Sequence, residues 1–268
     1  MRRGLQWLCL LAFLVAGCLP PPPTPLPPPP TETPTVTPPP TATIDWFPMT
    51  ATPTPPPTRE IEPTVDQRPA FGDVLLRDPF TDREQWQTFR TAAGSAAYGR
   101  DELSLVTASE KALLISLRAS PQLSNFYLEI DALPSLCREG DAFGLLLRAD
   151  TEGNYYRLLA DCAGRVRMER LRSSRSEMLQ DWIPTGQVPP GGMIPMRLGV
   201  LAQRDHLTVF VNGVQQFTVR DPVFTSGMLG VFARSGGKTP LTVSFSDLMV
   251  YEVDPSAPQP TEASTPQP

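Results

Sequence analysis

Ala142-Phe143-Gly144-Leu145-Leu146-Leu147-Arg148-Ala149 runs into Asp150-Thr151-Glu152-Gly153 and then Asn154-Tyr155-Tyr156-Arg157-Leu158-Leu159-Ala160-Asp161. Two short apolar runs around a turn-forming tetrapeptide are the pattern of a β-hairpin. Pairing Leu147 with Tyr156 puts Phe143, Leu145 and Leu147 on one face with Tyr156, Leu158 and Ala160. That face is expected to be core. The opposite face carries Gly144, Leu146, Arg148, Tyr155, Arg157 and Leu159. A further run after Gly164 extends both faces, with Val166 and Met168 inward and Arg165, Arg167 and Glu169 on the polar side. A slip of one residue would exchange the two faces.

The same reading extends in both directions. Candidate strands fall at 74–77, 102–106, 112–117, 125–132, 165–171, 196–202, 207–211, 214–219, 228–233 and 241–251, with little helical periodicity after residue 70. Val211-Asn212-Gly213-Val214 marks a two-residue type I′ turn, because Asn and Gly tolerate positive φ. About a dozen short strands imply an all-β fold of two stacked antiparallel sheets. The foldable stretch, residues 67–253, has the size of one such domain.

The ends read differently. Met1-Arg2-Arg3 opens an apolar stretch from Leu5 to Gly17, the length of a signal-peptide core and short for a bilayer span. Val15-Ala16-Gly17-Cys18 resembles the lipobox of bacterial lipoproteins. That resemblance implies cleavage after residue 17, a diacylglycerol on Cys18 and a membrane-anchored protein outside the cytoplasm. More than one acyl chain is needed for stable anchoring. Residues 18–66 are rich in Pro and Thr, cannot build a core and are expected to form an extended spacer with a reach of about 100 Å. Ile44-Asp45-Trp46-Phe47-Pro48-Met49 interrupts it as an apolar island. A second Pro/Thr/Ser tail, 254–268, is expected to be disordered as well.

The formal charge is −5, and loss of Arg2 and Arg3 with the leader brings it to about −7. An acidic balance argues against nucleic acid as the partner. Of four cysteines, Cys9 lies in the leader and Cys18 is the lipid site, which leaves Cys137 and Cys162 to pair in an oxidising compartment. Their bridge would contribute about 3 to 4 kcal/mol by chain entropy.

Leu76-Arg77-Asp78-Pro79-Phe80-Thr81-Asp82, the block 143–148 with Gly153-Asn154-Tyr155-Tyr156-Arg157, Leu207-Thr208-Val209-Phe210-Val211-Asn212-Gly213, Gly230-Val231-Phe232-Ala233 and Phe245-Ser246-Asp247-Leu248 follow one another here. In that order they resemble concanavalin A-like jelly rolls, of the 3-keto-disaccharide hydrolase and laminin-G-like kinds. The resemblance covers about residues 73–252 and implies a jelly-roll fold. The motifs are mostly turns and core strands, so they imply less about activity.

Glu129-Ile130-Asp131 is similar to the E-x-D-x-x-E strand of laminarinase-type retaining glycosidases. The acid/base position of that motif is Pro134, and a retaining mechanism needs a second carboxyl about 5 Å from the nucleophile. The alternative is an edge or solvent-facing strand with Leu128, Ile130 and Ala132 turned inward. Ser235-Gly236-Gly237-Lys238-Thr239 echoes a phosphate loop, but Phe232 stands at its first Gly, and a hairpin loop is expected. His206, the only histidine, opens a strand beside Asp205, so a metal or a Ser-His-Asp site has little to draw on. Asp78 and Asp247 are candidate ligands for a structural calcium. No other cofactor is indicated.

The polar hairpin face is the strongest site candidate. Tyr155 would stack on a sugar ring, Arg148, Arg157 and Arg167 would bond hydroxyls or acidic groups, and Trp182, in a loop-like stretch, would line the same groove. The competing reading is a solvated sheet whose arginines pair with Glu169 and Asp161 and a Trp182 that fills core. The expectation is a non-catalytic module for glycans, without a complete catalytic set. A glycoside or modified-disaccharide hydrolase and a structural or protein-docking module are the alternatives.

Overall fold

The computed structural model describes residues 66–188, 194–237 and 240–257. The expectations for residues 1–65, including Cys18 and the island at 44–49, for Lys238-Thr239 and for the tail from 258 lie outside them. The described residues form fifteen strands and no helix.

One sheet has nine strands: β1 (Val74–Asp78), β2 (Phe89–Thr91), β3 (Gly94–Tyr98), β4 (Leu103–Thr107), β6 (Phe126–Ser135), β11 (Met196–Gln203), β12 (His206–Val211), β13 (Val214–Arg220) and β15 (Thr242–Glu252). Their order is β13-β12-β11-β6-β15-β4-β3-β2, with β1 on the second half of β15. The other sheet has six: β5 (Leu113–Leu117), β7 (Ala142–Ala149), β8 (Tyr155–Asp161), β9 (Arg165–Arg172), β10 (Arg175–Pro184) and β14 (Met228–Arg234). Their order is β10-β9-β8-β7-β14-β5. The pairings within both sheets are antiparallel.

The core lies between the sheets and follows the period-two pattern. Leu128, Ile130 and Ala132 of β6 and Leu198, Val200 and Ala202 of β11 face Phe143, Leu145, Leu147, Leu158 and Ala160 of the smaller sheet. Each such buried aliphatic or aromatic side chain contributes about 1.5–3 kcal/mol. A buried ion pair helps to tie the layers: Asp78 at the end of β1 accepts from Arg118 just beyond β5 (2.9 Å), from Trp86 Nε1 (3.0 Å) and from the Phe80 N–H (2.8 Å).

Both hairpins form as the sequence implies. Leu147 pairs with Tyr156, and Asp150 closes the turn by accepting from the backbone of Glu152 and Asn154. Asn212 and Gly213 have φ of 50° and 79°, the type I′ geometry. Cys137 and Cys162 are disulfide-bonded at the open end of the first hairpin, with Cα atoms 5.7 Å apart.

Four expectations need correction. The strands β2, β3 and β10 are additional: β3 is built on Gly-Ser-Ala-Ala and β10 is a polar edge strand, so neither carries an apolar alternation. Trp182 therefore lies in β10, not in a loop. Ser235 to Gly237 lead out of β14, and the next strand, β15, belongs to the other sheet, so β14 and β15 are not joined as a hairpin. Finally, β6 is a central strand between β11 and β15, not an edge.

Candidate functional site on the six-stranded sheet

The register of the smaller sheet sets its outward side chains in rungs. Arg167, Leu159, Gly144, Phe232 and Ile115 lie side by side across β9, β8, β7, β14 and β5. The adjacent rung is Glu169, Arg157, Leu146, Gly230 and Leu117. On the other side Asp161, Ala142 and Arg234 are aligned. Small residues at 142, 144 and 230 leave room for the long side chains beside them. Leu146, Leu159, Phe232 and Tyr155 form an apolar floor separate from the main core.

Glu169 is the centre of the polar part. Arg157 donates to it, Arg167 Nη2 lies 2.5 Å from its other oxygen, and Ser176 donates at 3.1 Å. Burial works against the charged form of Glu169, but the bonds and charges of Arg157 and Arg167, with Ser176, hold its carboxyl below the usual range. The Arg157 guanidinium also lies over the Phe232 ring, 5.5 Å from its centroid. Trp182 is flanked by Arg165 at 5.3 Å and Arg167 at 6.0 Å, both over its ring. Arg165 is itself paired with Asp161 (2.7 Å).

Cations exceed anions here. Arg157 and Arg167 share one carboxylate, that of Glu169, and Arg234 is a third cation on this face. The Nε–H groups of Arg157 and Arg167 are buried without an acceptor. Among the described residues the Arg234 guanidinium makes no hydrogen bond or ion pair. Burial lowers its proton affinity, Arg157 and Arg167 act the same way, and only Glu169 opposes them.

Of the five residues expected here, Arg157, Arg167 and Trp182 are brought together. Arg148 is not. Its φ of 51° makes a bulge in β7, and the register with β14 shifts there. Its buried guanidinium instead donates to the carbonyls of Phe224 (2.8 Å) and Ser124 (2.7 Å), near Tyr156. Tyr155 is on the expected face, but at 6 % exposure its ring is part of the floor and offers no open stacking surface. Arg234 and Phe232 complete the cluster and were not singled out from the sequence. The alternation Met228, Gly230, Phe232, Arg234 places them outward, but the pairing of β14 with β7, about eighty residues apart, leaves no local signal.

A second polar cluster lies on the outward face of the nine-stranded sheet. Glu129, 2 % exposed, accepts from Tyr127 (2.7 Å) and lies beside Arg68 (3.3 Å) and Arg197 (3.5 Å). Arg197 also bridges Asp131 (2.8 Å) and Asp247 (2.5 Å). A pocket of about 380 Å³ opens between Asp66, Arg68, Glu129, Arg197 and the Asn212-Gly213 turn. Leu128, Ile130 and Ala132 do point inward, but Glu129 is covered, not solvated. Both carboxylates are held by arginine, and Pro134 is buried and has no proton to give.

The segment 66–73 crosses this face. The Gln67 N–H donates to the Gly213 carbonyl, Phe71 packs on Tyr127 and Tyr251, and Glu252 accepts from the Gly72 N–H and donates its own to the Asp73 carbonyl. At the other terminus, Gln203 donates to the carbonyls of Asp254 and Ala257. The remaining candidates are structural: Asp78 is filled by N–H donors, Asp247 by Arg197, and His206 sits beside Asp205 (2.9 Å). Cys137 and Cys162 lie close to Asp141, but their sulfurs are bonded to each other.

Fold and site together define an all-β, two-sheet antiparallel jelly-roll sandwich. Several solved structures share this fold. The carbohydrate-binding module CBM66 from Bacillus subtilis matches 63 % of this chain and 96 % of its own, at 16 % identity and a TM-score of 0.52. A Bacillus subtilis protein of unknown function with a galectin-like fold matches 68 % and 97 %, at 15 % identity and 0.53. The Bacillus licheniformis β-glucanase matches 68 % and 99 %, at 12 % identity and 0.52. At these identities the likeness establishes the fold alone. No protein-family model matches the chain, and no curated protein does.

Proposed function

We propose that this chain is a surface lipoprotein, anchored through Cys18, whose jelly-roll domain binds carbohydrate without cleaving it. The binding face is the outer side of the six-stranded sheet, around Trp182, Arg157, Arg167 and Arg234. One observation carries the reading: an indole and the guanidiniums of Arg165 and Arg167 lie together on one outward patch, with Arg234 unpaired among the described residues on the same face. An indole stacks on the apolar face of a sugar, and guanidiniums donate to its hydroxyls.

Two further points support it. The structural neighbours include a module named for carbohydrate binding and a β-glucanase, so binding and hydrolysis both occur on this fold. Of the two, hydrolysis needs a free acid beside a nucleophile, and the carboxylates at 129 and 131 are arginine-bound with Pro134 in the acid's place. Trp182→Ala in the full chain, solubilised in detergent, should lose binding on a glycan array by tenfold or more while keeping its melting temperature within a few degrees. Unchanged binding in this variant would refute the site, and sugar release by the purified protein would refute the non-catalytic role. Mass spectrometry of the N-terminal peptide tests the anchor: a diacylated Cys18 is expected, and an unmodified one contradicts it.

A further inference from the structure

We infer that the saccharide bound on the six-stranded sheet is anionic, carrying carboxylate or sulfate groups, and that Arg234 is a direct ligand to that charge. This rests on the reading that the face binds carbohydrate, and deepens it to a ligand class.

The charge balance is the starting point. Two guanidiniums, from Arg157 and Arg167, share a single carboxylate, Glu169; Arg234 adds a third cation to the same face without an ion pair among the described residues, and the neighbouring Arg165 is already neutralised by Asp161. The excess is local, since the whole chain is acidic at −5. A neutral sugar would leave that excess uncompensated. Guanidiniums that are partly desolvated gain most from an ionised acceptor, because charge-assisted bonds are about twice as strong as neutral ones. Two oxygens of a planar carboxylate or of a tetrahedral sulfate also match the fork of an arginine.

Arg234 is the residue that separates a ligand site from an internal network. Arg157 and Arg167 are partly used by Glu169, so both have a role in the protein itself. Arg234 is half-buried beside two like charges and has no protein acceptor among the described residues. Holding it there is unfavourable by charge and by solvation, and among the described residues only the charge of Glu169 works the other way. Ala142, its partner on β7, adds little bulk beside it. An anion beside Arg234 would offset the repulsion and supply the acceptor that this guanidinium lacks.

The test is calorimetric titration of the full chain in detergent with dextran sulfate, polygalacturonate and uncharged dextran, at low and moderate salt. The charged polymers should bind at least tenfold tighter than dextran and weaken as salt rises. Binding of polygalacturonate alone assigns carboxylate, and of dextran sulfate alone assigns sulfate; either supports the inference. Arg234→Ala should lose tenfold or more towards the charged polymer with little change in melting temperature, and Arg234→Lys should recover part of it. Equal binding of charged and neutral polymers, or charged-polymer binding unaffected by Arg234→Ala, overturns the inference. Neutral binding that is lost in Trp182→Ala overturns the anionic assignment alone and leaves the carbohydrate site standing. Absence of binding to any of the three, and to a wider glycan array, overturns both.

Discussion

At the scale of the residue, two arginines eighty-six positions apart have exchanged roles relative to what alternation suggests. Arg148 belongs by strict period to the polar face, yet a left-handed bulge turns it into the end of the sandwich, where it holds two backbone carbonyls. Arg148→Leu should therefore cost about 2–4 kcal/mol, since both carbonyls lose their donor in a buried place. Urea unfolding measures this, and glycan binding by the folded variant should be unchanged. Glu169 gives a pH signature. Its folded pKa is depressed by Arg157 and Arg167, so its stabilisation is complete above the unfolded carboxylate value of about 4.3 and is lost as pH falls through the lower folded value. Urea midpoints between pH 7 and pH 3 should show this acid loss. Glu169→Gln should start from a lower midpoint at pH 7 and lose less on acidification; a wild-type slope in the variant would contradict the assignment.

Elements explain what could be read from the chain and what could not. The hairpin β7–β8 was legible because its turn fixes the register and its inward set is unbroken from Phe143 to Leu147. The type I′ turn at Asn212-Gly213 was legible for the same local reason. The edge strand β10 was not, because an edge can be polar on both sides: Arg175-Ser176-Glu177-Met178 shows no alternation, and its register shifts twice against β9. The bulge at Arg148 was hidden too, since it depends on Gly227 of another segment lying against its backbone. Arg157, Arg167 and Trp182 of the candidate site were therefore visible, on strands that follow one another in the chain. The part supplied by β14 needs a pairing that no local pattern reports. Gly144 shows how tight that pairing is. At φ 151°, a Cβ there would sit 2.1 Å from the Leu158 carbonyl oxygen and 3.4 Å from the Phe232 ring. Gly144→Ala should cost about 3 kcal/mol or prevent folding, by backbone strain and by opening β7 from β8. Gly153, at φ 84° with open space around it, should lose only about 1–2 kcal/mol as Ala. Thermal unfolding of the two variants side by side checks the difference.

Across the whole molecule, the two outward faces have different occupants. The nine-stranded sheet is covered by the chain's own entry and exit segments: Arg68 and Phe71 on one part, and the turn at 254–257 on another. Its buried Glu129 is thereby held in a structural network. The six-stranded sheet carries the excess of cations and the indole, and neither of these two segments is bonded to it among the described residues. The most direct measurement is a crystal structure of the protein with the tightest-binding saccharide from the array. The account predicts a sugar ring stacked on Trp182 with its polar groups bonded to Arg157, Arg167 or Arg234. A saccharide seated instead in the pocket beside Glu129, Arg68 and Arg197 would contradict it.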